Sequence, residues 1–400
     1  MSKLNFERRS EEAKRSIYPV IRYLNSIGEG AYGGRYYDGD MNVLHVNITD
    51  DIRGSLSNET IMGEELPNFD KHIVYHKVKY SEGQLKQFQR IVDAEMMGKL
   101  GVTYTAPDIK LNKLLIGVED NSAEALEELR HVIGKLSFAE ADMYEIIKHE
   151  GGTTSGVLDF SGNPVDMSNG IPDRVIDAAI AANILVAPGS WIGNGTSKTN
   201  ILGISSLCTG FYYNNQPGFL SCGHGKAVGQ KIYYWPAPST SGYSNIHGYS
   251  SADLVEIGTV AAVSWNSGDR YDYASIRRTN SSAYMNSNNF CGGTIDGDSG
   301  IPEVGERMAV CGCADGAFFA DCSHTSASLT FDGSVYKVDL LEMEQRCTPG
   351  TSGGSVAYLD DETGKVNLTG IVTGNSNSTN HSYHAKYGPV KSAFNLTTVY

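Results

Sequence analysis

The feature that most constrains this chain of 400 residues is a change in residue usage near position 190. Through Ser190 it carries 20 of its 32 Lys and Arg and 29 of its 46 Asp and Glu, but no cysteine and no tryptophan. All seven cysteines and all three tryptophans lie beyond that point, in sequence rich in Gly, Ser, Thr, Asn and Tyr. Two such different pools read as two domains, and the length allows two sizeable cores. The division places an α+β domain over residues 1–187, with a linker over about 151–172, before an all-β domain over 188–400.

In the first domain, Phe6 to Asn25 and Gly83 to Leu100 carry helical spacing, for example Leu85, Phe88, Ile91 and Met96. A third helix is predicted from Ser122 to Ile133, opened by a cap-like serine and repeating Leu126, Leu129 and Val132. Asn42 to Ile48 and Lys113 to Val118 alternate as strands do, which predicts an antiparallel sheet. Nothing here forms a catalytic constellation. A Gly/Ser/Thr/Pro stretch follows, then a short helix from Asp173 to Asn183. From about Pro188 short strands alternate with turn signals, among them Lys231 to Trp235, Leu254 to Val263, Ser334 to Leu340 and Leu368 to Thr373. That pattern predicts an all-β barrel or sandwich.

Composition excludes several classes of function. A net charge of −14 does not attract nucleic acid or an anionic membrane. No apolar run approaches the roughly 18 residues of a membrane span. The opening MSKLNFERRSEEAKRS has no apolar core and does not read as a signal peptide. The cysteines lie in loop-rich sequence, as disulfides of exported proteins do, and an odd number leaves at least one unpaired within the chain. Cys311-Gly312-Cys313 is too tight for the usual zinc pair, and neither metal nor cofactor is implied.

The chemistry concentrates in CTPGTSGGSV, residues 347–356. A serine that attacks a carbonyl needs a base, a carboxylate to orient it, and backbone N–H donors for the oxyanion. Gly350-Thr351-Ser352-Gly353-Gly354 offers a nucleophile, Ser352, on a tight turn, with the N–H groups of Gly350 and Ser352 as oxyanion donors. The base is His224, which follows an apolar run and sits between glycines in GFLSCGHG. The carboxylate is Asp272 in RYDYASIRR, just before a strand. A second serine, Ser299 in GDSGIP, is read as a turn residue, because it lies only 27 positions after Asp272 and lacks the second glycine.

At these residues the chain resembles the chymotrypsin-fold serine proteases of the streptogrisin and alpha-lytic type. GFLSCGHG is similar to the family's histidine strand, and Tyr271-Asp272-Tyr273-Ala274-Ser275-Ile276-Arg277 to its aspartate segment. Cys208-Thr209-Gly210-Phe211 resembles an early strand, and residues 387–394 resemble the closing segment. The resemblance covers roughly residues 193–400. More weakly, Gly33 to Val46 resembles a hairpin of the family's large N-terminal pro-region, which acts as folding aid and inhibitor.

It implies a double β-barrel, trypsin-like domain acting as a serine endopeptidase on protein or peptide, made as a zymogen, secreted, and inhibited by its own pro-region. Cleavage near residues 183–193 would mature it. The resemblance places Thr373, Gly374 and Asn375 where a substrate backbone pairs as an extra strand, with Asn375 narrowing the primary pocket.

Three positions depart from the family. Thr351 stands where the family has an aspartate whose buried ion pair shapes the oxyanion hole. Cys222 precedes His224 by two residues instead of following it, leaving a Cys208–Cys222 bridge as one option. With no cysteine after it, Cys347 pairs backwards, with Cys311, Cys313 or Cys322, or stays free. Thr351 is also the feature that favours a rival reading, a catalytically silent protease-like protein serving in binding or adhesion.

Overall fold

A computed structural model describes residues 6, 8–49, 71–136, 139–154, 184–213, 216–234, 254–285, 295–298 and 300–399. The predicted helix at residues 173–183, most of the linker, Cys291 and Ser299 lie outside these residues.

The three helices expected in the N-terminal half form, and each has a local reason to begin where it does. Helix α1 (Glu11–Ile27) is capped by the Ser10 hydroxyl, which accepts from the Ala13 N–H, and buries Ala13, Ile17, Val20 and Leu24 on one face. Helix α2 (Glu82–Met96) opens with a reciprocal cap between Ser81 and Gln84. Helix α3 (Ala123–Ile133) is capped by Ser122. Leu85, Phe88, Val92 and Met96 of α2 meet Val102, Leu114, Ile116 and Val118 of the sheet below, together with Leu129 and Ile133 of α3. Full burial of such side chains stabilises the fold by about 1.5–3 kcal/mol each.

The strands of this half are β1 (Arg35–Asp38), β2 (Val43–Ile48), β3 (Ile73–Lys77), β4 (Val102–Asp108), β5 (Lys113–Val118), β6 (Tyr144–Lys148) and β7 (Gly152–Thr154). The antiparallel expectation holds for β1–β2 and β4–β5 but not for β2–β3 or β5–β6, which are parallel. For β5–β6 the reason is α3, which carries the chain back across the sheet as a parallel connection requires.

From residue 184 onward the elements of the described residues are strands, with one short helix near the end. The chain runs β8 (Ile184–Val186), β9 (Trp191–Ser197), β10 (Asn200–Ser206), β11 (Thr209–Tyr213), β12 (Gln216–Ser221), β13 (Lys231–Tyr234), β14 (Val255–Ser264), β15 (Tyr273–Arg278) and β16 (Ala283–Met285). It continues with β17 (Ile295–Asp298), β18 (Arg307–Gly312), β19 (Gly316–Phe331), β20 (Val335–Met343), β21 (Ser355–Asp360), β22 (Lys365–Ser376), β23 (Ser382–Lys386), helix α4 (Tyr387–Ala393) and β24 (Thr397–Val399).

One sheet has the order β10-β9-β13-β14-β15-β12-β11-β24 and is open. The other has the order β18-β21-β22-β23-β20-β19-β4-β5-β6, with a further pairing between β18 and β19. The expected pair of closed barrels is therefore realised only as a mostly-β architecture. In the second sheet β19, 16 residues long, extends past its ladder with β18 and pairs with β4, Ser328 opposite Thr105 and Leu329 opposite Tyr104. Main-chain hydrogen bonds thus join the two halves in one sheet. Between the two large sheets lies a core of Phe211, Leu220 and Tyr273 from one and Ala309, Ala357, Leu368 and Ile371 from the other, closed by Tyr387 and Val390 of α4.

Candidate active site

The seam between these sheets is where the three residues singled out in the sequence converge. His224 sits on the turn after β12, Asp272 immediately before β15, and Ser352 on the turn before β21. Because β12 and β15 are hydrogen-bonded neighbours, Ser221 opposite Ala274, the ends carrying His224 and Asp272 are adjacent by register. Asp272 Oδ1 accepts the N–H groups of Gly223 and His224 at 2.7 and 3.0 Å. Its Oδ2 lies 2.8 Å from His224 Nδ1, and His224 Nε2 lies 2.8 Å from Ser352 Oγ. All three side chains are buried. With both aspartate oxygens engaged, the imidazole is held with Nδ1–H toward Asp272 and Nε2 free to accept the serine proton.

Burial by itself would favour the neutral imidazole, but the Asp272 carboxylate outweighs it and holds His224 above the usual histidine range. Burial pushes Asp272 upward, and the contact with His224 and its backbone donors overcomes that, so its pKa is lowered. The Trp265 ring lies 5.2 Å from the His224 ring. Lys337 Nζ sits over Trp265 and donates to Asp269 Oδ1 and to the carbonyls of Asn266 and Tyr271, fixing the loop that leads into Asp272.

Ser352 belongs to a turn that begins where the Thr351 N–H donates to the Thr348 carbonyl at 3.1 Å. Gly350 within it has φ +98°, a left-handed conformation that an L side chain rarely adopts. The Gly350 carbonyl accepts from Ser206 Oγ at 2.9 Å and Cys313 Sγ at 2.8 Å. Thr351 is fully buried, and its hydroxyl donates to Asp315 Oδ2 at 2.7 Å. Neither Ser206 nor Asp315 was singled out in the sequence, and Cys313 was named there as a possible partner of Cys347. Only folding brings positions 206, 313 and 350 together, and no local motif announces it.

Thr373, Gly374 and Asn375 lie together on β22 beside Ser352, whose hydroxyl is 3.4 Å from the Thr373 carbonyl. Asn375 spans two segments: its Oδ1 accepts the Cys347 N–H at 2.7 Å and its Nδ2 donates to the Cys347 carbonyl at 2.8 Å. Strand β7 pairs antiparallel along this edge, Thr154 opposite Gly374, Thr153 opposite Asn375 and Gly152 opposite Ser376.

Of the cysteine expectations, the Cys208–Cys222 bridge needs correction, while Cys347 takes the free form that was one of its alternatives. Cys208, Cys222, Cys313, Cys322 and Cys347 are free and buried, so neither a Cys208–Cys222 bridge nor a bridge to Cys347 forms; Cys311 is held in a disulfide. Placed two residues before His224, Cys222 turns its sulfur to Lys226 Nζ at 3.2 Å, while Cys208 Sγ faces the Gly370 carbonyl. Burial would raise the Cys222 thiol, but His224 and Lys226 together lower it. Ser299 of the competing motif falls outside the described residues, but Gly297 and Asp298 of that motif belong to β17, which pairs with the opposite end of β22, over Val366 to Leu368.

No family model matches the chain. It is 27% identical over 134 residues, 33% of its length, to the bifunctional protein argC, mitochondrial, of Dictyostelium discoideum, and spans only 14% of that protein. Among solved structures, it is similar to Thermobifida fusca Protease A at TM-score 0.40 and 18% identity, covering 54% of this chain and 98% of that one. It is similar to Nocardiopsis Protease at TM-score 0.39 and 17% identity, covering 55% and 100%, and to alpha-lytic protease homolog N4 at 0.40 and 18%, covering 53% and 98%. The solved structures that this chain resembles, at low identity over about half its length, are chymotrypsin-like serine proteases of the alpha-lytic type.

Proposed function

We propose that the chain is a secreted serine endopeptidase made as a zymogen, with His224, Asp272 and Ser352 as its catalytic triad and its N-terminal half as folding aid and inhibitor. The observation that carries this reading is the unbroken series Asp272–His224–Ser352, with 2.8 Å at each step. Ser352 Oγ attacks the substrate carbonyl while His224 Nε2 takes its proton. The negative charge on the carbonyl oxygen is met by the N–H groups of Gly350 and Ser352. The C–N bond then breaks, the leaving amine takes the proton from His224, and water repeats the sequence on the acyl-serine. Asp272 orients the imidazole and stabilises its charged form.

The inhibitory role is supported by β7. Its antiparallel pairing with Gly374 and Asn375 fills the track on which an extended substrate backbone would add as a strand. Incubation of the purified chain, followed by its N-terminal sequence and mass, tests the whole reading. Self-cleavage is expected in the unaltered chain and absent in Ser352→Ala. A serine-directed fluorophosphonate should label the first and not the second. Equal behaviour of the two would leave the alternative, a catalytically silent protease-like binding protein.

A further inference from the structure

The turn that carries the oxyanion donors pivots on a glycine, whose backbone is not confined to the shape it takes here. Gly350 adopts φ +98°, and glycine there gives no side chain with which to lock it. The restraint comes from the segment that ends β18. Asp315 Oδ2 accepts two hydrogen bonds from the turn, one from the Thr348 N–H at 2.8 Å and one from the Thr351 hydroxyl at 2.7 Å. These two residues bracket Pro349-Gly350, so a single carboxylate oxygen ties both ends of the turn. Thr351 is committed to this contact: it is fully buried, and its methyl group packs on Gly312, where an added Cβ would approach to 2.4 Å. From the same segment Cys313 donates to the Gly350 carbonyl.

We propose that Asp315 is the positioning residue of the oxyanion turn, acting through Thr351 and the Thr348 N–H to hold the Gly350 amide toward the substrate oxygen. This rests on the serine-hydrolase reading of the site. It also assigns a purpose to Thr351: a hydroxyl at that position reaches a carboxylate supplied by another strand end. Asp315 touches neither substrate nor reacting atoms, so its loss should slow the chemical step without weakening encounter.

The test is fluorophosphonate labelling of the full chain, resolved into a limiting rate and a half-saturating concentration. Loss of one oxyanion donor typically costs about 10²–10³-fold in rate, and Asp315→Ala should approach the lower figure with half-saturation unchanged within about twofold. Asp315→Asn keeps an oxygen that can accept both bonds and should recover most of the loss. Thr351→Val should be slower than the unaltered chain, and adding it to Asp315→Ala should cost little more, as expected of two residues acting through one contact.

An Asp315→Ala chain that labels at the original rate overturns the proposal. So does a lowered melting temperature with unchanged labelling, which marks a structural role alone. If Asp315→Ala does not fold, Thr351→Val carries the test, and labelling equal to the unaltered chain overturns it. Absence of any Ser352-dependent labelling in the unaltered chain overturns the serine-hydrolase reading itself, and the positioning role with it.

Discussion

Asp272 shows how one residue controls both the geometry and the charge of its neighbour. It accepts two backbone N–H groups through Oδ1, which leaves Oδ2 for His224 alone. Its carboxylate favours the imidazolium and so raises His224 above the ordinary value near 6.5. Only the neutral imidazole can take the serine proton, so labelling of Ser352 should rise with pH through a midpoint above that value. Asp272→Asn removes the charge and selects the wrong tautomer. Its rate should fall by about 10⁴-fold, with the midpoint moving downward. The pH dependence of labelling in the two proteins measures both; a midpoint that does not move would separate His224 from Asp272.

At the scale of elements, the segment from β6 to β7 links the N-terminal half to the cleft through His149. The Gly151 N–H donates to His149 Nδ1 at 3.1 Å, so the ring carries its proton on Nε2, 3.2 Å from Ser376 Oγ. The ring stacks on Tyr104 at 4.5 Å, and Glu342, His381 and Glu150 are the charged groups that bear on it. Burial lowers its pKa to about 4. A folded pKa below the unfolded value means that this packing is fully favourable above about 6.5 and is lost as pH falls through 4. Protonation at Nδ1 would also expel the Gly151 N–H, directly before β7. Lowering the pH across that window should therefore free the cleft, and His149→Ala should do so at neutral pH. Loss of one buried hydrogen bond costs about 1–3 kcal/mol, which corresponds to roughly 5–150-fold faster labelling of the full chain. Unchanged labelling in His149→Ala would place the barrier elsewhere.

This level also shows where the sequence was legible. The helices were readable because capping serines and 3.6-residue periodicity are local signals, as at Ser81 and Ser122. His224, Asp272 and Ser352 stood out because each lies beside a strand with a recognisable approach. The length of β19 did not, since its burial alternates only in part and its pairing with β4 joins positions more than 200 apart. Asp315 was hidden for the same reason. It is one carboxylate in an ordinary turn until Thr351 folds against it.

Over the whole molecule, the two halves share a buried charge centre as well as a sheet. Glu342 accepts from Tyr104 of the N-terminal half at 2.9 Å and from Tyr383 at 3.0 Å, and lies 2.8 and 2.6 Å from His324 and His381. Burial alone would raise its pKa, but His324 and His381 hold it far below the usual carboxylate range. A depressed folded pKa contributes stability that is present above about 4.3 and lost as pH falls below it. Both this centre and His149 therefore weaken on acidification, the histidine first, because its unfolded value is the higher. Acid should accordingly act in two stages, release of the cleft before loss of the fold. Glu342→Gln removes the charge but leaves the two histidines and the two tyrosines in place. Breaking a buried pair in this way costs about 3–5 kcal/mol. Denaturant unfolding at neutral pH should show an unfolding free energy lowered by that amount, and the acid sensitivity of stability should shrink in the variant. A variant as stable as the original would mean that the pairing of β4 with β19 holds the halves together without help from this carboxylate.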